Sequence, residues 1–350
     1  MTAGTSSAGF KKKMSSETVV FQEQLSNYLK DIGLTDGPIG LSQLTGGQSN
    51  PTYKISSGSK HYVLRKKPGG VLLPSAHAVD REYRVMKALA NTNVPVPQML
   101  AYCEDESIIG TAFFVMEYLD GRVFIDQSLT QLQATERHTL YEEMNRTIAA
   151  IHKLDYVALG LESFGKPGNY FSRQIARWSR QVRDANIPIP DSLNKLMDWL
   201  PENIPNEDET SLIHGDFRMD NLIFHKTELR VIGVLDWELS TLGNPLADFA
   251  YQCMAWRIAP TLWRGIQGLD LKSLGIPSEA EYIAMYEKRI GRPIAEHWPF
   301  LMAYNLFRIS AILHGITKRA MDGNANASDA IENGKKAGAL ADLGWACAQQ

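Results

Sequence analysis

The chain has 350 residues with 44% hydrophobic and 21% charged content, the balance of a globular protein able to bury a sizeable core in one large domain or two lobes. A formal net charge of −3 gives no general attraction to nucleic acid or a membrane surface, and no apolar run approaches the length that spans a bilayer. Cys103, Cys253 and Cys347 lie far apart without metal-ligand spacing, and their scarcity fits a reducing cytoplasm.

Residues 1–15 carry Lys11 to Lys13 but no apolar signal-peptide core after them, and read as a flexible tail. Residues 39–67 alternate as strand, glycine turn, strand, turn, strand. Gly46, Gly47 and Ser49 occupy the first turn, where glycines let backbone N–H groups approach phosphates and Ser49 adds a hydroxyl. In the third strand Val63 and Arg65 share a face, and Lys67 follows on it. Asp80 to Ala90 has helical spacing at Tyr83, Met86, Leu89 and Ala90, and the prolines of VPVPQML then stop that helix. An apolar strand, Phe113 to Leu119, ends at Asp120–Gly121. This divides the chain into a first unit over 16–119 and a mainly helical second unit over 120–350.

In the second unit Leu140, Met144, Ile148 and Ile151 form a one-faced helical stripe expected to be core. Arg173, Arg177, Arg180 and Arg183 fall at helical spacing, either a solvated charged face or a cationic surface suited to a phosphate-bearing ligand. Asn244 followed by Pro245 reads as a helix N-cap and first helical residue. Helices are expected over 278–290, 298–321 and 326–346.

The segment HGDFRMDNLIFHKTELRVIGVLDWE, residues 214–238, carries the chemistry. His214, Asp216 and Asn221 fit the H-x-D-x-x-x-x-N spacing of a kinase catalytic loop. Leu222 to Phe224 and Val231 to Leu235 read as two strands joined by a polar turn. A hairpin of that length brings Asn221 and Asp236 to one end, where an amide oxygen and a carboxylate can hold Mg²⁺. Asp216, on the loop entering the hairpin, suits the role of accepting the proton of an attacking hydroxyl.

HGDFRMDNLIF followed by LDWELSTLGNPLADFAY resembles the aminoglycoside phosphotransferase family of small-molecule kinases, which also includes choline-kinase-like enzymes. The likeness covers about residues 35–345 and is strongest to the branch associated with acyl-CoA dehydrogenases. It implies an α+β, two-lobed protein-kinase-like fold, with a small antiparallel β lobe bearing one helix and a larger, mainly helical lobe. It implies ATP and Mg²⁺, with Asp216 as base, Asn221 and Asp236 as metal ligands, and Glu82 paired to a strand cation. That cation is Arg65 here, where such enzymes carry lysine, with Lys67 a second choice. Met116, Glu117 and Leu119 correspond to the adenine-contacting hinge, and Asp248 to a carboxylate that braces the catalytic loop. The late helices, with Tyr304, Arg308 and His314, correspond to walls of an acceptor pocket or to plain helix packing.

The branch points to a small-molecule hydroxyl acceptor linked to coenzyme A. Aminoglycosides, amino sugars, choline-like alcohols and nucleosides stay open, as does a kinase-like nucleotide-binding protein without turnover. No D-F-G or A-P-E follows Asp236, which argues against a protein kinase.

Overall fold

The computed structural model describes residues 16–44, 50–68, 78–206, 208–322 and 327–350, so Gly46, Gly47, Ser49 and the tail 1–15 lie outside the described residues. Two compact units are present. The first takes the chain to Tyr83 and adds Gln98–Tyr118, and the second takes Arg84–Pro97 and Leu119–Gln350. The segment 84–97, grouped by sequence with the first unit, thus clusters with the second.

The first unit contains α1 (Ser16–Asp31), β1 (Gly40–Gln43), β2 (Thr52–Ser57), β3 (Lys60–Lys66), α2 (Val79–Leu89, which crosses the partition), β4 (Met99–Cys103), α3 (Glu106–Ile109) and β5 (Phe113–Glu117). Its sheet runs β1-β2-β3-β5-β4 with antiparallel neighbours. Leu64, Ile55, Phe113 and Val115 from the strands close on Leu25 and Leu29 of α1, all fully buried. Burial of such side chains stabilises by roughly 1.5–3 kcal/mol each. The β3–β5 register sets Val63 against Met116 and Arg65 against Phe114.

The second unit contains α4 (Ala134–His152), α5 (Tyr170–Asp184), α6 (Asp191–Glu202), β6 (Ser211–Ile213), β7 (Leu222–Phe224), β8 (Val231–Val234), β9 (Thr241–Gly243), α7 (Pro245–Cys253), α8 (Leu271–Leu274), α9 (Glu279–Ile290), α10 (Trp298–Met321) and α11 (Ala327–Ala348). The expected stripe of α4 is buried at Leu140, Met144, Ile148 and Ile151. Asn244 caps α7 as expected, its side-chain oxygen accepting from the N–H groups of Leu246 at 2.9 Å and Ala247 at 3.3 Å. Two two-stranded ladders, β6–β9 and β7–β8, frame the catalytic segment.

One expectation needs correcting. The segment Ala295–Met321, which contains α10, is long and apolar enough to cross a membrane by length and composition, yet 83% of its most apolar window is buried inside the protein. Its all-round hydrophobicity reflects a core helix packed by α5, α6, α7 and α11, so apolar neighbours of its own unit supply the environment a bilayer would.

Candidate active site

β6 ends at Ile213 and β9 begins at Thr241, paired with each other, so the catalytic loop leaves the ladder where the chain toward α7 enters it. The loop must turn sharply at Gly215, whose φ of +83° is left-handed, and an added Cβ there would meet the Leu239 carbonyl oxygen at 2.5 Å. Asp248, on the first turns of α7, receives the N–H of His214 and the N–H of Gly215, each at 2.8 Å. His152 of α4 approaches the same carboxylate at 3.1 Å and Tyr286 of α9 at 2.6 Å, so it belongs to the scaffold. Burial disfavours the Asp248 charge, but the hydrogen bond and charge of His152, helped by His214, hold its carboxyl below the usual aspartate range.

His214 closes the loop on the hairpin. Its Nδ1 accepts the N–H of Asp216 at 3.2 Å, which leaves Nε2 as the protonated nitrogen facing the Leu235 carbonyl at 2.9 Å. Leu222 pairs with Val234 in the β7–β8 ladder, and the Leu235 N–H donates to the Asn221 carbonyl at 2.8 Å. Asn221 and Asp236 therefore meet at one end of the hairpin, in line with the sequence geometry. Asp236 has φ +64° and ψ +58°, an uncommon backbone for a residue with a side chain and a store of local strain.

The Asp216 side chain keeps 16% of its surface exposed and so is open to solvent. Its Oδ1 accepts from the Tyr251 hydroxyl at 2.6 Å and lies 3.1 Å from Arg218 Nε. Asn221 Nδ2 donates to the Asp216 carbonyl at 2.9 Å and to Oδ2 at 3.2 Å. That commits the amide nitrogen to Asp216 and leaves the Asn221 side-chain oxygen for a cation. The Asn221 amide oxygen and the Asp236 carboxylate, at the same end of the hairpin, are hard donors of the kind that could hold Mg²⁺ together with phosphates and water. Among the described residues no group of three His, Cys, Asp or Glu side chains could hold a metal without such help.

Arg218 also pairs with Asp220 at 3.3 Å, and Arg264 reaches the same Asp220 oxygen at 2.6 Å. Burial raises the Asp220 carboxyl above its ordinary range, against the pull of Arg218. Arg308, raised by sequence as an acceptor-pocket or packing residue, donates Nη2 to the Gly215 carbonyl at 2.8 Å and stacks 5.1 Å from the Tyr251 ring centre. Tyr304 packs among Tyr170, Phe171 and Phe300, and His314 meets the Pro188 carbonyl at 3.2 Å.

Sequence reasoning passed over Arg218 and Tyr251. A signal existed for the tyrosine: it stands three residues after Asp248, so both fall on one face of α7.

In the first unit, Arg65 Nε lies 2.8 Å from Glu82 Oε2, with side chains only 9% and 2% exposed, so the strand cation and the helix glutamate form a buried pair. Lys67 follows β3 and is half-buried. Met116 is buried on β5, and Glu117 is exposed, its N–H donating to the Gln98 carbonyl at 2.9 Å. Leu119 begins the second unit and is half-buried. On α5, Arg177, Arg180 and Arg183 are exposed, while Arg173 is half-buried and donates to the Lys166 carbonyl at 2.6 Å. Arg180 and Arg183 border a cavity of about 500 Å³ floored by Ile175, Met197 and Pro201.

A five-stranded antiparallel sheet with a buried Arg–Glu pair, and a helical unit carrying an Asp-containing loop and hairpin, define a phosphotransferase of the protein-kinase-like fold. The chain belongs to the phosphotransferase enzyme family, whose profile matches residues 40–299. A solved structure from Ralstonia eutropha, provisionally called an aminoglycoside phosphotransferase, is 51% identical with a TM-score of 0.87, covering 93% of this chain and 98% of that one. Mouse acyl-CoA dehydrogenase family member 10 is 47% identical over 328 residues, which is 93% of this chain and 31% of that protein. The chain thus spans about a third of that relative's length. An aminoglycoside phosphotransferase solved with ADP and hygromycin B shares the fold at a TM-score of 0.62 and 16% identity, over 93% of this chain and 99% of that one.

Proposed function

We propose that this phosphotransferase moves the γ-phosphate of ATP, with Mg²⁺, to the hydroxyl of a small acceptor, and that the acceptor is a hydroxyacyl-CoA. The observation that carries the proposal is the held carboxylate of Asp216, fixed by Tyr251, Arg218 and Asn221 beside the hairpin end where Asn221 and Asp236 meet. When bound, Mg²⁺ would neutralise charge on the β- and γ-phosphates. Asn221 and Asp236 would hold it. Arg65, set by Glu82, would offer two donors to phosphate oxygens. Asp216 would orient the acceptor hydroxyl and take its proton late. Positioning and charge stabilisation supply most of the rate.

Support for the acceptor comes from charge and from kin. An aminoglycoside is a polycation and calls for free carboxylates. Beside Asp216 stands Arg218, and the neighbouring Asp220 carboxylate is already shared by Arg218 and Arg264. Arg180 and Arg183 beside their apolar-floored cavity add cationic surface suited to a phosphate-bearing ligand with an apolar arm. The relatives of greater length carry the acyl-CoA dehydrogenase name, which favours an acceptor handled as a CoA thioester.

The test is a side-by-side assay of the purified protein with γ-labelled ATP and Mg²⁺ against a panel of hydroxyacyl-CoAs and a panel of aminoglycosides. Label transfer to the thioesters is expected. Transfer to aminoglycosides alone would reject the acceptor. Nucleotide binding without transfer to any acceptor would favour a non-catalytic nucleotide-binding role.

A further inference from the structure

We infer that Tyr251 is a positioning residue for Asp216, fixing which carboxylate oxygen receives the acceptor's proton; the inference rests on the phosphoryl-transfer reading above. A carboxylate offers about two lone-pair directions on each oxygen. On Asp216, Oδ1 accepts from the Tyr251 hydroxyl at 2.6 Å and lies in an ion pair, without a hydrogen bond, 3.1 Å from Arg218 Nε. Oδ2 has one donor, Asn221 Nδ2 at 3.2 Å. Oδ1 is thus flanked by both the phenol and the Arg218 guanidinium while Oδ2 meets one amide, which assigns the proton to Oδ2. In the transfer step the acceptor oxygen bonds to the γ-phosphorus. The bond from that phosphorus to the β–γ bridging oxygen breaks, and its electron pair leaves with ADP. The acceptor's proton passes to Oδ2.

Three features make the tyrosine a device for this task rather than a space-filler. Burial, then the neighbouring Asp216 charge, hold the Tyr251 hydroxyl well above the ordinary phenol range, so it stays a donor. Its ring lies 5.1 Å from the Arg308 guanidinium, which also donates to the Gly215 carbonyl at 2.8 Å, so the ring and the loop share one clamp. Three residues earlier on α7, Asp248 takes the N–H groups of His214 and Gly215. One helical turn thus fixes both the backbone of the loop and the plane of its carboxylate. Phenylalanine would fill the same space and leave that plane to Arg218 and Asn221 without the short phenol contact, loosening it about χ2 and lowering the aligned fraction.

The experiment is a double-mutant cycle of Tyr251→Phe in the parent and in Asp216→Asn, read two ways. Steady-state kinetics use γ-labelled ATP and Mg²⁺ with 3-hydroxybutyryl-CoA and, separately, with water as acceptor. Tyr251→Phe should lower kcat about tenfold or more in the parent, leave the ATP KM within about twofold, and cost nothing further in the Asp216→Asn background. A purely structural tyrosine would cost the same factor in both backgrounds or raise KM with kcat unchanged, and either result overturns the proposal. Urea unfolding of the same four proteins reads the contact without turnover. The midpoint should fall more for Tyr251→Phe in the parent than in Asp216→Asn, and equal shifts also overturn it. A parent that releases no ADP with either acceptor marks instead the failure of the phosphoryl-transfer reading, and the inference falls with it.

Discussion

The two regions that carry polar chemistry are built differently. The loop around Asp216 is held by side chains from several elements: Asp248 and Tyr251 of α7, Arg308 of α10, and Asn221 at the hairpin. Arg65 and Glu82, on β3 and α2 of the other unit, hold each other in a buried ion pair. A base must present one oxygen to one proton, and errors of an ångström there cost orders of magnitude. A phosphate clamp must present charge, which one fixed guanidinium can do. The difference teaches that bracing follows the precision a group's task demands. Substitutions can break or sharpen that contrast.

The largest expected effect is at Asp216, the proposed base. Asp216→Ala should lower turnover by about 10²–10⁴-fold, the range of general-base contributions, while Mg²⁺-dependent nucleotide affinity stays near the parent's. Rapid-quench transfer assays beside calorimetric titration with a non-hydrolysable ATP analogue would measure both. Turnover equal to the parent's would remove Asp216 from the chemistry. Next is its support. Asp248→Ala strips a fully buried carboxylate from two backbone N–H groups and from His152, and should cost about 3–5 kcal/mol in denaturant unfolding. The sign with pH follows. Because the folded-state carboxyl sits below the usual range, its stabilisation is present above the ordinary aspartate titration and is lost as pH falls through the lower folded value. The variant should lack that part of the acid limb, and an unchanged limb would point to other carboxylates.

How much of this was legible in the sequence depended on the reach of each interaction. The β7–β8 hairpin and the meeting of Asn221 with Asp236 follow from two short apolar runs and a polar turn, all within 16 residues. The Asn244 cap and the stripe of α4 are likewise local, set by the chain's own periodicity. The Tyr251 and Arg308 contacts with the loop join residues 35 and 93 apart, and no local rule reports such pairs. Every residue of α7 is buried, so no apolar stripe separates a working face from a packing face there. The same all-round burial made α10 hard to weigh from composition, since a buried core helix and a membrane span share one pattern. The even arginine spacing on α5 gave charge but not surroundings, and Arg173 turned out to be tied to the Lys166 carbonyl.

Asp236 tests the metal end of the hairpin. Asp236→Ala should abolish the Mg²⁺ dependence of nucleotide binding, because the Asn221 amide oxygen alone is a weak ligand for a strongly hydrated cation. Calorimetry with and without Mg²⁺ reads this directly, and an unchanged Mg²⁺ effect would move the metal elsewhere. Asp236→Asn sharpens the point by keeping the shape and removing the charge.

The smallest effect is expected on the other side of the contrast. Arg65→Lys replaces a planar fork by a single ammonium, the residue that such kinases usually carry on this strand. A shorter, more strongly hydrated group will hold Glu82 less well across the 2.8 Å contact now made by Nε. If the task of this residue is to present charge, the loss should be about 1 kcal/mol, a several-fold rise in the ATP KM with kcat little changed. Arg65→Met, which removes the charge beside the buried Glu82 carboxylate, should cost about 3–5 kcal/mol. A lysine variant as damaged as the methionine one would mean that geometry, not charge, is what Arg65 supplies. The two regions would then obey the same rule.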